Sequence, residues 1–84
     1  MVTVRVFGVL RLESGVKRLE ADADRVQDVF RLVYEEIKRV KPEADISLKD
    51  VRSCVVTVNG KIVKNSTRLK DGDEVMLVPS SCGG

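Results

Sequence analysis

Residues 54–63, Cys54 to Val63, read "CVVTVNGKIV", and this stretch decides the fold. A β-branched run is followed by Asn59-Gly60 and then by Ile62-Val63. Asn and Gly both accept the positive φ angles of a two-residue primed turn, so the stretch predicts a β-hairpin. Working outward toward the C-terminus, "LKDGDEVMLV" at 69–78 places an Asp71-Gly72-Asp73 turn ahead of a last strand at 74–78. Within that strand Val75 and Leu77 share one face, and Met76 and Val78 share the other.

Working outward toward the N-terminus, apolar side chains at Val26, Val29, Phe30, Val33, Ile37 and Val40 fall on one stripe of a helix. Asp28, Arg31, Glu35 and Lys38 lie opposite them, and Arg31, Glu35 and Arg39 set opposite charges four residues apart. Asp24 and Gln27 form a plausible capping pair at the start, and Pro42 requires the helix to have ended before it. Residues 43–50, "EADISLKD", read as a connection with room for a short helical turn. The opening stretch "VTVRVFGVLRL", 2–12, alternates from Val2 through Val4 to Val6. With "ESG" at 13–15 as the turn and "VKRLEA" at 16–21 as the return strand, a second hairpin is expected.

The order is therefore ββαββ, with two or three strands after the helix. One helical stripe and one sheet face must be buried, and a mixed sheet of four to five strands laid on a single main helix buries both. This is an α+β fold. Residues 1–78 are expected to form it, with 79–84, "PSSCGG", as a flexible tail.

Composition narrows the function. A chain of 84 residues makes one domain, burying roughly 60 to 65% of the extended chain's surface on folding. Apolar residues make up 43% and charged residues 33%, an ordinary globular balance. No apolar run approaches the roughly 20 residues of a bilayer span, and the first residues show no export signal, so a cytoplasmic protein without membrane association is expected. Net charge is only +2 with the signs interspersed, and the aromatic residues are just Phe7, Phe30 and Tyr34, which argues against nucleic acid as a partner. The absence of histidine removes Ser-His-Asp and Cys-His catalysis, and no G-x-x-x-x-G-K loop is present. Two cysteines, Cys54 and Cys82, form no C-x-x-C pair, so neither a zinc site nor a bound cofactor is expected. Cys54 reads as a small buried hydrophobe.

The order of elements, together with "VTVNGKIV", "TRLKDGDEV" and a last strand followed by six residues ending in Gly-Gly, resembles the ubiquitin-like β-grasp sulfur carriers of the MoaD/ThiS family. The likeness covers essentially the whole chain. Its length and the opening "VRVFG" look more like the small subunit of molybdopterin synthase than the shorter thiamine carrier. One departure is visible: members often carry an aromatic-rich last strand and two prolines, whereas here "VMLV" is followed by the single Pro79.

The resemblance implies that the first and last strands lie parallel at the centre of the sheet. It further implies that an ATP-dependent E1-like enzyme adenylates the Gly84 carboxylate and that a sulfur donor protein converts it to a thiocarboxylate. The large subunit of molybdopterin synthase would then accept the sulfur. On this reading ATP is consumed by the activating partner, and the chain is a carrier rather than an enzyme by itself. The tail fits that chemistry physically. A carboxylate is a poor electrophile and needs activation in a narrow groove, where Gly83 and Gly84 pass without Cβ atoms to clash.

A carrier needs a docking surface. If Val4, Val6, Val75 and Leu77 face the helix, then Phe7 and Val78 point outward on adjoining strands, and comparison with the family adds Ile62. Arg5, Arg11, Lys61 and Arg68 are candidates for a charged rim around this apolar patch. Cys82, two residues before the terminal glycine, is a tail thiol without an assigned role. The alternatives are a ubiquitin-like modifier joined to other proteins through its terminal glycine, a carrier for thiamine or tRNA thiolation, and a β-grasp binding module with an incidental Gly-Gly.

Overall fold

Two strands far apart in sequence form the centre of the sheet. β1 (Val2–Val6) and β5 (Glu74–Val78) run parallel, in the register Thr3 to Glu74, Val4 to Val75, Arg5 to Met76 and Val6 to Leu77. Val4, Val6, Val75 and Leu77 are buried on one side of this pair, so period-two alternation places both strands' apolar residues on the same face. The structure, a computed structural model, describes residues 1–79. The tail beyond Pro79, including Cys82, Gly83 and Gly84, lies outside the described residues.

β2 (Arg18–Ala21) pairs antiparallel with β1, and β3 (Val55–Val58) pairs antiparallel with β5. β4 (Lys61–Ile62) closes the far edge, giving the order β2-β1-β5-β3-β4. The β3–β4 turn is the expected one, with Asn59 at φ 51° and Gly60 at φ 88°. Asn59 also ties this turn to the next: its side-chain nitrogen donates to Asp73 Oδ1 at 3.0 Å, and its side-chain oxygen accepts from the Glu74 N–H at 3.0 Å. The Lys70 N–H and the Asn59 amide together hold the Asp73 carboxyl below its ordinary pKa.

The N-terminal hairpin is not what forms. β1 stops at Val6, and a helix, α1 (Gly8–Ser14), stands where the second half of a long strand and its turn were expected. Leu10 and Leu12 continue the even-numbered apolar positions of Val2, Val4 and Val6, which imitates a strand. The spacing of Leu10 and Ser14 is instead that of one helix face, and both are buried. Gly15 ends α1 in the left-handed region at φ 75°, its N–H donating to Arg11 O at 2.9 Å, so "ESG" is a helix end.

α2 (Val26–Val40) packs Val26, Val29, Phe30, Val33 and Ile37 into the core, while Val40 is exposed. The expected Asp24–Gln27 cap is not made. Arg25 is the N-cap without a side-chain bond, and the first amides find backbone acceptors: Val26 N–H to Thr67 O at 3.0 Å and Gln27 N–H to Asn65 O at 2.9 Å. On the outer face Arg39 pairs with Glu36 one turn back, at 2.6 Å, rather than with Glu35. A third helix, α3 (Leu48–Arg52), occupies the end of the connection, held by a reciprocal cap between Ser47 and Asp50. The element order is thus β-α-β-α-α-β-β-β, with α2 the main helix on the sheet, and the fold is the ubiquitin-like β-grasp. Among the described residues no helix is long and apolar enough to cross a membrane.

Candidate functional site: an outward sheet face at the root of the tail

Because Val6 points into the core, the next extended residue, Phe7 (φ −126°, ψ 168°), points outward. Its N–H donates to Leu77 O at 3.1 Å, which sets Phe7 beside Val78 one step past the last register pair of β1 and β5. Val78 pairs in turn with Val55, so Phe7, Val78 and Val55 form a row across three strands. A second row runs from Arg5 through Met76 and Thr57 to Ile62.

The expected trio of Phe7, Ile62 and Val78 therefore shares one face. Val78 is 42% exposed and Ile62 77%, while Phe7 is half-buried. Val55, 40% exposed, belongs to the same patch, in addition to the three residues expected from the sequence. Its signal was present, since Val56 and Val58 point inward and so turn Val55 and Thr57 outward.

The rim differs from expectation. Arg5, Arg11, Lys17 and Arg18 surround a hollow floored by Val6 and Phe7, of about 210 Å³. Arg5 also approaches Glu74 at 3.5 Å, and Arg18 approaches Glu20 at 3.8 Å. Arg68 does not join them, because it forms a β-bridge with Arg25 at the start of α2. Lys61 is paired with the inward-facing Val58 at the sheet edge, on the opposite parity from Ile62.

β5 carries the chain out of the sheet at Pro79, next to Gly8. Gly8 has φ +66°, and a Cβ added there would lie 3.2 Å from Pro79 Cδ and 3.3 Å from Cγ. Glycine is required at this point for both reasons. A cleft of about 310 Å³ between α1 and α3 opens beside it, lined among others by Leu10, Asp50, Cys54 and Pro79. Cys54 is 8% exposed, as a buried hydrophobe should be. Burial, with a smaller contribution from Asp50, pushes its thiol pKa up. Among the described residues no three His, Cys, Asp or Glu side chains gather as a metal site.

The family model for the ThiS family matches residues 4–84. The chain belongs to the ThiS family. No curated protein sequence matches it. Several solved structures share its architecture, among them the following three. Small archaeal modifier protein 1 of Methanosarcina acetivorans is 26% identical with a TM-score of 0.72, over 99% of this chain and 95% of that one. A putative molybdopterin converting factor subunit 1 of Pyrococcus furiosus is 26% identical with a TM-score of 0.68, over 93% and 94%. A chain in the complex of subunits 1 and 2 of the molybdopterin-converting factor of Helicobacter pylori 26695 is 27% identical with a TM-score of 0.58, over 99% and 97%. This ThiS-family chain thus falls among ubiquitin-like sulfur carriers and modifiers. In this ThiS-family protein the outward face reaches Val78, the last residue of β5.

Proposed function

We propose that this protein is a sulfur carrier for molybdopterin synthesis, working through the carboxylate of Gly84. One observation carries the reading: Val78, the last residue of the central strand, lies between outward-facing Phe7 and Val55, and the chain runs directly from it into the tail. A partner that grips this apolar patch holds the head at the point where the tail begins, and so directs the tail into its own active site.

The chemistry divides between chains. An E1-like partner supplies ATP, and the Gly84 carboxylate oxygen attacks its α-phosphorus and releases pyrophosphate. A persulfide on a sulfur donor protein then displaces AMP from the acyl carbon, giving an acyl disulfide, and a thiol cleaves its S–S bond, releasing the thiocarboxylate and leaving the donor in a disulfide with that thiol. The large subunit of molybdopterin synthase takes up the tail and transfers the sulfur. The Helicobacter pylori relative, solved as a complex of subunits 1 and 2, supports a partner of that kind. This chain contributes the acyl group, the clearance at Gly83 and the docking residues Phe7, Ile62 and Val78, and needs no cofactor of its own.

A second reading has its own support, since the Methanosarcina acetivorans modifier protein matches with a TM-score of 0.72. In that reading the activated carboxylate acylates lysines of other proteins. Both readings require activation at Gly84, which pyrophosphate exchange with an adenylating enzyme measures. Deleting Gly84 abolishes exchange and leaves the urea midpoint unchanged. Exchange that survives the deletion contradicts both.

A further inference from the structure

β2 is one edge of the sheet, and its free side can be read from the hydrogen bonds of β1. Thr3 and Phe7 donate their N–H groups toward β5, to Asp73 O at 3.0 Å and Leu77 O at 3.1 Å, whereas Val6 donates to Lys17 O at 3.0 Å. The even-numbered residues of β1 therefore bond to β2, and the register of Val4 with Leu19 and Val2 with Ala21 gives those bonds to Leu19 and Ala21. Arg18 and Glu20 turn their N–H and C=O groups to the open edge, where among the described residues no backbone group pairs with them. Their side chains are 60% and 53% exposed. An edge of this kind is a template for another strand.

The charges along the edge select the strand that fits. "KRLEAD", 17–22, sets two cations before Leu19 and two anions after it. When β2 lies antiparallel on β2 of a second copy, about a twofold axis at Leu19, Arg18 faces Glu20 of that copy and has its Asp22 on the diagonal. Symmetry repeats the pair, and each pair exchanges two backbone hydrogen bonds. Leu19, half-buried against the core, meets its counterpart at the axis with Cα atoms about 4.5 Å apart. Within one chain Arg18 stands directly across from Arg5, and the only anions near this like-charge pair are Glu74, 3.5 Å from Arg5, and Glu20, 3.8 Å from Arg18. A second Glu20 offsets that opposition. The other edge, β4, is just Lys61–Ile62, too short to continue the ladder.

We propose that two copies of this protein associate through β2, joining their sheets edge to edge. Sedimentation velocity of the full chain from about 10 µM to about 1 mM shows monomer giving way to dimer, as an interface at the small end of the range should. Over the same concentrations, hydrogen exchange read by NMR shows the Arg18 and Glu20 amides becoming protected. Arg18→Glu sets Glu against Glu20 at both symmetric positions and weakens the dimer by about tenfold or more. It also removes the opposition to Arg5, so thermal unfolding shows a fold as stable as the parent's. Glu20→Arg weakens the dimer in the same way. An equal mixture of the two variants restores it, because one edge then carries Arg at 18 and 20 and the other carries Glu. A protein still monomeric at about 1 mM overturns the proposal. So do dimers whose Arg18 and Glu20 amides exchange as in the monomer, species larger than a dimer, single variants that pair as well as the parent, or a mixture that stays monomeric.

Discussion

Gly8 and Pro79 meet where the two central strands leave the sheet: a Cβ on Gly8 would stand 3.2 Å from Pro79 Cδ, and Gly8 itself has φ +66°. Their contact fixes where α1 begins relative to where the tail departs. Gly15, at the other end of α1, has φ +75° and open space around it.

This pair of glycines separates backbone strain from contact. Gly15→Ala bears only the left-handed conformation, about 1–2 kcal/mol. Gly8→Ala bears the same strain and a clash with the proline ring, so urea denaturation gives a larger loss for it. Adding Pro79→Ala recovers the excess, which a double-mutant cycle reads as coupling. A Gly8→Ala protein as stable as Gly15→Ala would show that the contact is unimportant.

The turn pair held by Asn59 responds to both mutation and acid. Asn59→Gly keeps the positive φ but loses the bonds to Asp73 and the Glu74 N–H, lowering stability by about 1 kcal/mol. The Asp73 carboxyl has a depressed pKa in the folded state, so its ionised form favours folding. That contribution is fully present above the pKa of an unfolded aspartate, and it is lost as pH falls through the lower folded value. Asp73 is partly exposed, so solvent screening keeps the effect small. Urea midpoints from neutral to acid pH fall less steeply for Asp73→Asn than for the parent. Parallel curves would remove Asp73 from the account.

The outward face predicts a loss of binding without a loss of stability. Val78→Glu or Phe7→Glu weakens affinity for the activating enzyme by about thirtyfold, equivalent to about 2 kcal/mol. Leu12→Glu, on the exposed side of α1, changes it little. Calorimetric titration reads the affinities and thermal unfolding reads the stability. Unaltered affinity in the Val78 and Phe7 variants would place the docking surface elsewhere.

Legibility in the sequence followed the range of the interactions. The Asn59-Gly60 hairpin was readable because a two-residue turn encodes its own φ angles. The parity of Val75 and Leu77 against Met76 and Val78 was readable because a strand's period is two. α1 was not, because Leu10 and Leu12 prolong the even-numbered pattern of β1 and only Gly8 marks the change. The capping of α2 was not readable from Asp24 and Gln27, since its first amides are satisfied by carbonyls of Asn65 and Thr67, some forty residues away. Ser47 and Asp50 did carry the spacing of a cap, within a segment read mainly as connection. The meeting of Gly8 with Pro79 had no local signal at all.

Intact-mass spectrometry tests the role of the Gly84 carboxylate most directly. The protein is incubated with ATP, its activating enzyme and a sulfur donor, and its mass is then measured. Replacement of one terminal oxygen by sulfur, mapped to Gly84 and absent from the Gly84-deleted chain, is the predicted result. An unchanged mass, under conditions where the activating enzyme thiolates a carrier known to be competent, would contradict it.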